Sequence, residues 1–360
     1  MHSVLRGMTG YQMLAMLTGD VSYAEIPEKM RKMIQQTAQI AGGDICEWYP
    51  FSILNEGCST SDWLRVNLNA GHLLGDSEAF ENAENTLWNA LLLLQGNNGG
   101  FGHRVVGQNG YPGGKYIEAW WCCLHNAGRT IAECYLGTVT RRKSDDTVCV
   151  NFLIPGTYKL EESDICVEIE TEYPYTANTK IKITGLKENQ NVHVRIPKYM
   201  RKANMETVRD GSFAEITLSG KIGYTVEQED GGYVLRYGPL VLAPTILGYE
   251  PEIYRKNALL QGIYTDVKWE SSSSLMQDRK RLKLLIPSAD EDGFLPLTYA
   301  GFDRWAYADE GAYCQDSKAC VSTYVKVELS DGNIGEFCFY PINYFARGNS
   351  FGDIITVFDM

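Results

Sequence analysis

Three cysteines and one glutamate form the most distinctive group of reactive side chains in this sequence. Glu56 and Cys58 are separated by one glycine, and the adjacent pair Cys122 and Cys123 follows further along the chain. One carboxylate and three thiolates are a suitable four-ligand set for Zn²⁺. The spacing is not that of a zinc finger, because no C-x2-C pair is present, and buried unpaired cysteines are also common core residues. From these residues alone, a zinc site and a cysteine-containing core both stay open.

Aromatic and imidazole side chains accompany the cysteines. Trp121 directly precedes the cysteine pair, and Trp48 lies beside Glu47, so these indoles could form the floor of a sugar-binding pocket. His125 lies three residues after Cys122, on the same predicted helix. Core packing is an equally good interpretation of the indoles. For His125, the sequence favours an ordinary hydrogen-bonded imidazole over a ligand.

The first part of the chain must position these groups with helices. Apolar residues recur at helical spacing, and Ser59, Thr60 and Ser61 offer N-caps for the helix after them. The Gly- and Asn-rich segment 96–114 is typical of a loop or hairpin. The pattern predicts about five helices, over 4–17, 26–40, 62–74, 77–94 and 122–136.

After residue 140 the pattern changes to short β-branched runs separated by turns, which is typical of an antiparallel β-sandwich. The segment Ser330-Asp331-Gly332-Asn333 predicts a hairpin turn between two such runs. The predicted strands cover 148–154, 165–171, 180–183, 192–196, 214–218, 234–242, 282–286, 324–329 and 354–358. The chain is therefore predicted to be α first and then β, which favours separate domains over an alternating α/β sheet.

The charge and the hydropathy pattern exclude several classes of function. The formal net charge of −12 argues against nucleic-acid binding, because a broad face could not neutralise phosphates. No apolar run approaches the ~20 residues of a membrane span. The N-terminal residues lack the order of a signal peptide, so the chain as given is predicted to be cytoplasmic.

The residues around the cysteine pair resemble a known family. Glu56 and Cys58, followed by Cys122-Cys123, Asn126 and Arg129, are similar to the Glu-x-Cys and Cys-Cys-x-x-Asn-x-x-Arg signature of the β-L-arabinofuranosidase-like enzymes of glycoside hydrolase family 127. The resemblance covers most of the chain and is best over about 1–245. It implies an (α/α)6 toroid followed by β-sandwich domains. The predicted domains are a partial toroid over 1–140, a β-sandwich over 141–245 and a β-rich domain over 246–360.

The resemblance also implies an activity, namely retaining hydrolysis of a β-L-arabinofuranosyl linkage in a glycan or arabinofuranoside. Zn²⁺ would be held by Glu56, Cys58, Cys122 and Cys123, with Cys122 as the nucleophile. The family's acid/base carboxyl follows a Gly-Gly pair, which here indicates Glu47, with Asp44 as the alternative. Trp48, Trp121, His125 and Asn126 are expected to contact the sugar. The alternative function is a non-catalytic carbohydrate-binding or interaction subunit that keeps a structural zinc site.

The N-terminal part of the chain departs from the family's pattern, because a complete toroid needs more helices than the sequence predicts. An incomplete toroid leaves inner apolar helix faces in water, which favours association. The expected partner is a second copy of the chain or a missing N-terminal half, and weak activity is expected of the chain alone. A truncated N-terminus would also allow a secreted or periplasmic protein.

Overall fold

The structure is a computed structural model that describes residues 1–47, 54–96, 99–105, 110–111, 119–229, 231–246, 281–299, 321–329, 331–343 and 353–360. The chain divides into two compact units, of which the first is built from Met1–Gly128 together with Tyr224–Met360. The second unit is the intervening segment Arg129–Gly223. The order of elements is α first and then β, as predicted. The division into 1–140, 141–245 and 246–360 stays a prediction.

The predicted helices are all present among the described residues. They are α1 (His2–Thr18), α2 (Glu25–Thr37), α3 (Gly57–Leu74), α4 (Ser77–Asn85) and α5 (Trp121–Thr138). A short 3-10 helix over Val21–Ala24 precedes α2, and a π-helical segment over Thr86–Leu91 follows α4.

Two helix predictions were wrong in detail. α3 begins at Gly57 rather than at 62, because the chain leaves an extended strand at Glu56, the N-cap, and turns directly into the helix. Ser59, Thr60 and Ser61 are therefore buried residues of the first turns of α3 and not its caps. The single helix predicted over 77–94 is α4 followed by the π-helical segment, which carries Asn89.

Within its described residues, the first unit contains three sheets. Its strands are β1 (Leu54–Glu56), β2 (His103–Val105) and β3 (Gly110–Tyr111), and, after the second unit, β12 (Tyr224–Glu229), β13 (Gly232–Tyr237), β14 (Leu240–Ala243), β15 (Thr245–Ile246), β16 (Lys283–Leu285), β17 (Thr323–Glu328), β18 (Ile334–Pro341) and β19 (Asp353–Ile355). β1 pairs with β2, six strands follow the order β12-β13-β14-β18-β17-β16, and β15-β19-β3 form the third sheet. β17 and β18 are the hairpin predicted around Asp331 and Gly332. The strand predicted over 234–242 is two strands, because the chain turns at Gly238, where φ is 53°.

The second unit contains two sheets that share one apolar core. Its strands are β4 (Val139–Arg142), β5 (Thr147–Val150), β6 (Gly156–Lys159), β7 (Cys166–Thr171), β8 (Thr179–Thr184), β9 (Val192–Val194), β10 (Arg201–Asp210) and β11 (Phe213–Lys221). Five strands follow the order β10-β11-β8-β7-β6, and three follow β4-β5-β9. Alternate residues of β7, β8 and β11 face the core, as the period of two requires. The purely antiparallel prediction was wrong at one place, because β5 and β9 are parallel.

Buried polar side chains connect the helices of the first unit to its six-stranded sheet. The Asn89 carboxamide donates to the Pro239 carbonyl oxygen and accepts from the Val241 backbone N–H. Arg236 is almost completely buried and donates to Glu229, Asn85 and the Ala41 carbonyl oxygen. These bonds join α4 and the π-helical segment to the sheet.

The first helices expose large apolar side chains. Leu17 is 83% exposed, and Tyr11 and Met13 of α1 and Ile26 and Met33 of α2 are exposed as well. Whether a second copy or another polypeptide covers this surface stays a prediction. No helix of the described residues is long and apolar enough to cross a membrane.

Candidate metal centre

The four predicted ligands meet at one place in the first unit. The ligand atoms of Glu56, Cys58, Cys122 and Cys123 all lie within 4.8 Å of one another. The Glu56 Oε1 atom is 3.6 Å from the Cys122 Sγ and 3.9 Å from the Cys123 Sγ, which is 3.8 Å from the Cys58 Sγ. Tetrahedral zinc with bonds of about 2.0–2.3 Å places its ligand atoms about 3.3–3.8 Å apart. The donor set therefore fits a zinc ion, and the three distances above lie within about 0.1 Å of this range, whereas the Sγ atoms of Cys122 and Cys123 are slightly farther apart, at 4.0 Å.

The thiols lie at the beginnings of two helices. Cys58 is in the first turn of α3, and Cys122 and Cys123 are in the first turn of α5. The positive end of a helix dipole favours anionic groups and lowers the cost of forming a thiolate. Glu56, although it is the N-cap of α3, makes no side-chain capping bond, and its carboxylate is directed toward the thiols instead.

A glycine allows the close approach of α3 to the cysteine pair. A Cβ atom at Gly57 would lie 2.9 Å from the Cys123 Cβ and 3.0 Å from the Gly102 carbonyl oxygen. The Gly57 N–H donates to that same carbonyl oxygen, which continues the pairing of β1 with β2. Glycine at this position therefore sets the distance between Cys58 and Cys123.

A chain of polar contacts from α1 supports Cys58. The Asn126 amide donates to the Cys58 Sγ at 2.9 Å, and its carbonyl oxygen accepts from the Arg6 guanidinium at 2.6 Å. Arg6 also lies 3.2 Å from the carboxylate of Asp62, which is fully buried. His2 hydrogen bonds to the same carboxylate, which raises the pKa of the imidazole.

His103 contacts the site from β2. Its Nε2 atom lies 3.4 Å from the Cys123 Sγ, and the edge of its ring packs against Trp120. Burial lowers the pKa of His103 to about 4, so the imidazole is neutral at pH 7.

Two carboxyl groups near the centre differ in their surroundings. Glu47 is partly exposed and accepts hydrogen bonds from the Ser59 hydroxyl and the His2 backbone N–H. Burial raises the pKa of Glu56, and the negative charge of Glu47 raises it further. Asp44 is fully buried and accepts from Thr60, Asn55 and the Ile45 backbone N–H, and burial raises its pKa to about 6.

Cys58 and Cys122 disfavour ionisation without a cation. The hydrogen bond with Cys123, together with burial, raises the pKa of Cys58. Burial raises the pKa of Cys122 to about 12. A bound divalent cation reverses this preference, because it deprotonates the thiols that ligate it.

The residues expected to contact sugar are distributed differently from the ligands. Trp121 is 71% exposed, and His125 is exposed on the same helix. Asn126 is buried, with its carboxamide on Cys58 and Arg6. Trp48 lies outside the described residues. The sugar-binding roles stay predictions.

Sequence reasoning missed three residues of the centre, namely His103, Arg6 and Asp62. His103 lies in the segment predicted only as loop or hairpin, and its position follows from the β1–β2 register, which pairs it with Glu56. Arg6 of α1 and Asp62 of α3 carry opposite charges, and that was the available signal. Their proximity depends on how α1 packs against α3, which the sequence does not show.

The fold resembles known enzyme structures. No protein-family model matches the chain, and no curated protein sequence does either. A β-arabinofuranosidase of glycoside hydrolase family 127 matches over 96% of this chain and 58% of its own, with a TM-score of 0.63 and 16% identity. A family 127 β-L-arabinofuranosidase from Geobacillus stearothermophilus T6 matches over 98% and 59%, with a TM-score of 0.65 and 15% identity.

A third structure, described as a glycoside hydrolase, matches over 98% of this chain and 64% of its own, with a TM-score of 0.61 and 12% identity. The chain thus spans about three fifths of the length of these structures. At such identities the likeness shows a shared fold.

Proposed function

We propose that this chain carries the zinc-thiolate centre of a retaining glycoside hydrolase that acts on β-L-arabinofuranosyl linkages. The observation that supports it best is the convergence of Glu56, Cys58, Cys122 and Cys123, on a fold shared with family 127 β-arabinofuranosidases. Bound zinc would supply the positive charge that keeps the Cys122 thiol ionised at neutral pH.

Cys122 is the proposed nucleophile because it is the accessible thiol of the three. Cys58 and Cys123 are 0% exposed, whereas Cys122 is partly exposed. Its Sγ atom attacks the anomeric carbon, so that a C–S bond forms while the glycosidic C–O bond breaks. The departing oxygen takes a proton from the Glu47 carboxyl group.

The second half of the reaction releases the sugar. A water molecule gives a proton to the Glu47 carboxylate and attacks the anomeric carbon, and the C–S bond breaks. Two inversions give retention of configuration. Glu47 suits this role better than Asp44, because the Asp44 oxygens are fully enclosed and bonded to Thr60, Asn55 and Ile45.

The remaining assignments are part of the same proposal. Trp48, Trp121 and His125 contact the sugar, and Asn126 holds the Cys58 thiolate in place as well as facing the substrate side. Because the chain spans about three fifths of its structural neighbours, a second copy or a missing N-terminal half completes the pocket. The alternative, a non-catalytic carbohydrate-binding subunit, keeps zinc but not a reactive Cys122.

The test measures hydrolysis of an aryl β-L-arabinofuranoside by the zinc-loaded chain, with NMR detection of the first sugar anomer released. Cys122→Ser is expected to lower turnover by about a thousandfold or more. Glu47→Gln is expected to lower it by about 10²–10⁴-fold for a poor leaving group and much less for a good one. Cys338→Ser, which removes another partly exposed thiol of the first unit, is the matched control and should leave turnover unchanged.

Thiol labelling tests the nucleophile even where turnover is weak. After zinc removal from the folded protein, Cys122 should react with iodoacetamide faster than Cys58 and Cys123, as read by peptide mass spectrometry. A Cys122 that stays inert under these conditions, in a chain that binds one zinc, would favour the non-catalytic alternative.

A further inference from the structure

We propose that His103 is a reserve metal ligand, which takes the coordination position of Cys122 when that thiol is not available to the ion. The inference rests on the proposed zinc-thiolate centre and extends it to a fifth donor. It concerns how the ion is kept while Cys122 carries a sugar.

The distance from the His103 imidazole to Cys123 fits two ligands of the same ion, although His103 is not in the four-residue group whose ligand atoms all lie within 4.8 Å of one another. Its Nε2 atom is 3.4 Å from the Cys123 Sγ. Two ligand atoms on one tetrahedral zinc, with bonds of about 2.0–2.1 Å to nitrogen and 2.3 Å to sulfur, are separated by about 3.5 Å. The distance that a shared ion requires is therefore already present between these two atoms.

The backbone brings His103 to the same side of the site as Glu56. The two residues are direct partners in the antiparallel pairing of β1 with β2. Side chains of directly opposed residues lie on the same face of a ribbon. His103 is 1% exposed and packs edge-on against Trp120, so the ring is held in position.

Cys122 is the ligand that needs a substitute. A thiolate is a strong zinc ligand, whereas the thioether formed with the sugar carries no charge and binds zinc far more weakly. Glu56, Cys58 and Cys123 then leave the ion with three protein ligands. Zinc sites are almost always four-coordinate, and a neutral imidazole beside Cys123 supplies the missing donor.

The competing role for His103 is a simple hydrogen bond to Cys123. Such supporting contacts typically contribute about 10–100-fold to metal affinity, and that contribution does not depend on Cys122. A reserve ligand behaves differently, because it contributes little to zinc affinity while Cys122 binds the ion and contributes strongly when Cys122 is absent. The two roles are therefore separated by a double-mutant cycle.

The experiment is a zinc titration against a chromophoric chelator for the wild-type chain, His103→Gln, Cys122→Ser and the double variant. We expect His103→Gln alone to change the affinity by about twofold or less, and Cys122→Ser to keep one zinc per chain. The double variant should bind about a hundredfold more weakly than the two single effects predict. Additive effects, or a large loss in His103→Gln alone, would overturn the proposal.

His72→Gln is the matched control. His72, in α3, is another imidazole of the first unit whose pKa burial lowers to about 4, and it packs against Phe80 of α4 rather than against the thiols. Introduced into Cys122→Ser, it should leave zinc affinity unchanged. An effect as large as that of His103→Gln would show that the loss is not specific to the site.

X-ray absorption of the zinc-loaded Cys122→Ser chain tests the same idea without altering His103. We expect two sulfur ligands and the multiple-scattering pattern of one imidazole, and a spectrum without imidazole would overturn the inference. If the wild-type chain bound no zinc at all, both the reserve-ligand inference and the proposed function would fail. A wild-type chain that binds one zinc, with an additive cycle, would overturn the reserve ligand alone.

Discussion

The core of the second unit and the surroundings of the metal centre are both buried, but they are built from opposite kinds of residue. Val167, Ile181 and Ile183 of the second unit belong to one continuous apolar cluster. Around the metal centre, the fully buried residues include Asp44, Asn55, Thr60 and Asp62. One region is stabilised by removing apolar surface from water, and the other by hydrogen bonds between polar groups that water no longer reaches.

The difference has a physical consequence for tolerance to change. The free energy of apolar burial does not depend on direction and is roughly proportional to the buried area. The loss of one methyl group therefore lowers stability mainly through the contacts of that group. A buried polar group needs a partner in a defined position, and removing one partner leaves the other unsatisfied. The metal region is therefore expected to depend on each contact, whereas the second unit depends on total packing.

Zinc removal should produce the largest difference in stability between the metal region and the second unit. At a free zinc concentration of about 1,000 times the dissociation constant, binding stabilises the folded state by about 4 kcal/mol. Hydrogen exchange with and without chelator should then show lost amide protection at the first turns of α3 and α5, near Cys58 and Cys123. Strands β7, β8 and β11 serve as the internal control, and equal loss in both regions would contradict the comparison.

Truncation of the apolar core should have the next largest effect, and on the second unit alone. Ile181→Ala, at a fully buried position of β8, should lower the free energy of unfolding by about 2–5 kcal/mol, and Ile181→Val by about 0.5–1.5 kcal/mol. Zinc affinity, measured by titration of the folded variants, should stay as in the wild type. A loss of zinc binding in Ile181→Val would show that the two regions are not energetically separate.

The Asp44 carboxyl group should give a smaller effect that depends on pH. Burial raises the folded-state pKa of Asp44 to about 6, above its ordinary value of 3.8, so the folded protein holds this proton more tightly than the unfolded chain does. The resulting stability is present below about pH 4 and is lost as the pH rises toward 6. The side chain introduced by Asp44→Asn does not ionise, so the variant does not lose this stability as the pH rises. Between pH 4 and 7, its free energy of unfolding should therefore increase by up to about 3 kcal/mol relative to that of the wild type.

Urea unfolding at several pH values measures this change. Asp331→Asn is the control, because hydrogen bonds at an exposed turn lower the pKa of that carboxyl group, and its dependence should have the opposite sign. An Asp44→Asn profile parallel to that of the wild type would mean that the buried carboxyl group does not titrate in this range.

The sequence predicted the second unit and the ligand set for different reasons. Alternation of β-branched residues identified β7, β8 and β11, because a period of two is a local property of the chain. Glu56, Cys58, Cys122 and Cys123 were identified by residue type and by family resemblance, and the structure brings their ligand atoms together. Zinc is the ion that this donor set predicts.

The sequence missed three features, namely strand β10, the role of His103 and the start of α3, for different physical reasons. The exposed strand β10 was not predicted, because its alternation carries no apolar face. His103 was missed because its place beside the thiols depends on its pairing with Glu56 across β1 and β2. The start of α3 was predicted five residues late (62 against 57), because capping residues inside the helix resemble a true N-cap. Only for His103 does the deciding contact lie outside the local window.

The discontinuity of the first unit has a consequence for synthesis on the ribosome. Asn89 accepts a hydrogen bond from Val241, 152 residues later in the chain. At about 5–20 residues per second, roughly eight to thirty seconds pass between the appearance of these two residues. The second unit emerges completely within that interval and can fold first, while Asn85 and Asn89 still lack Arg236 and Val241. α4 and the π-helical segment are made before the second unit and paired after it, so translation pauses after residue 128 would expose them to chaperones or proteases for longest.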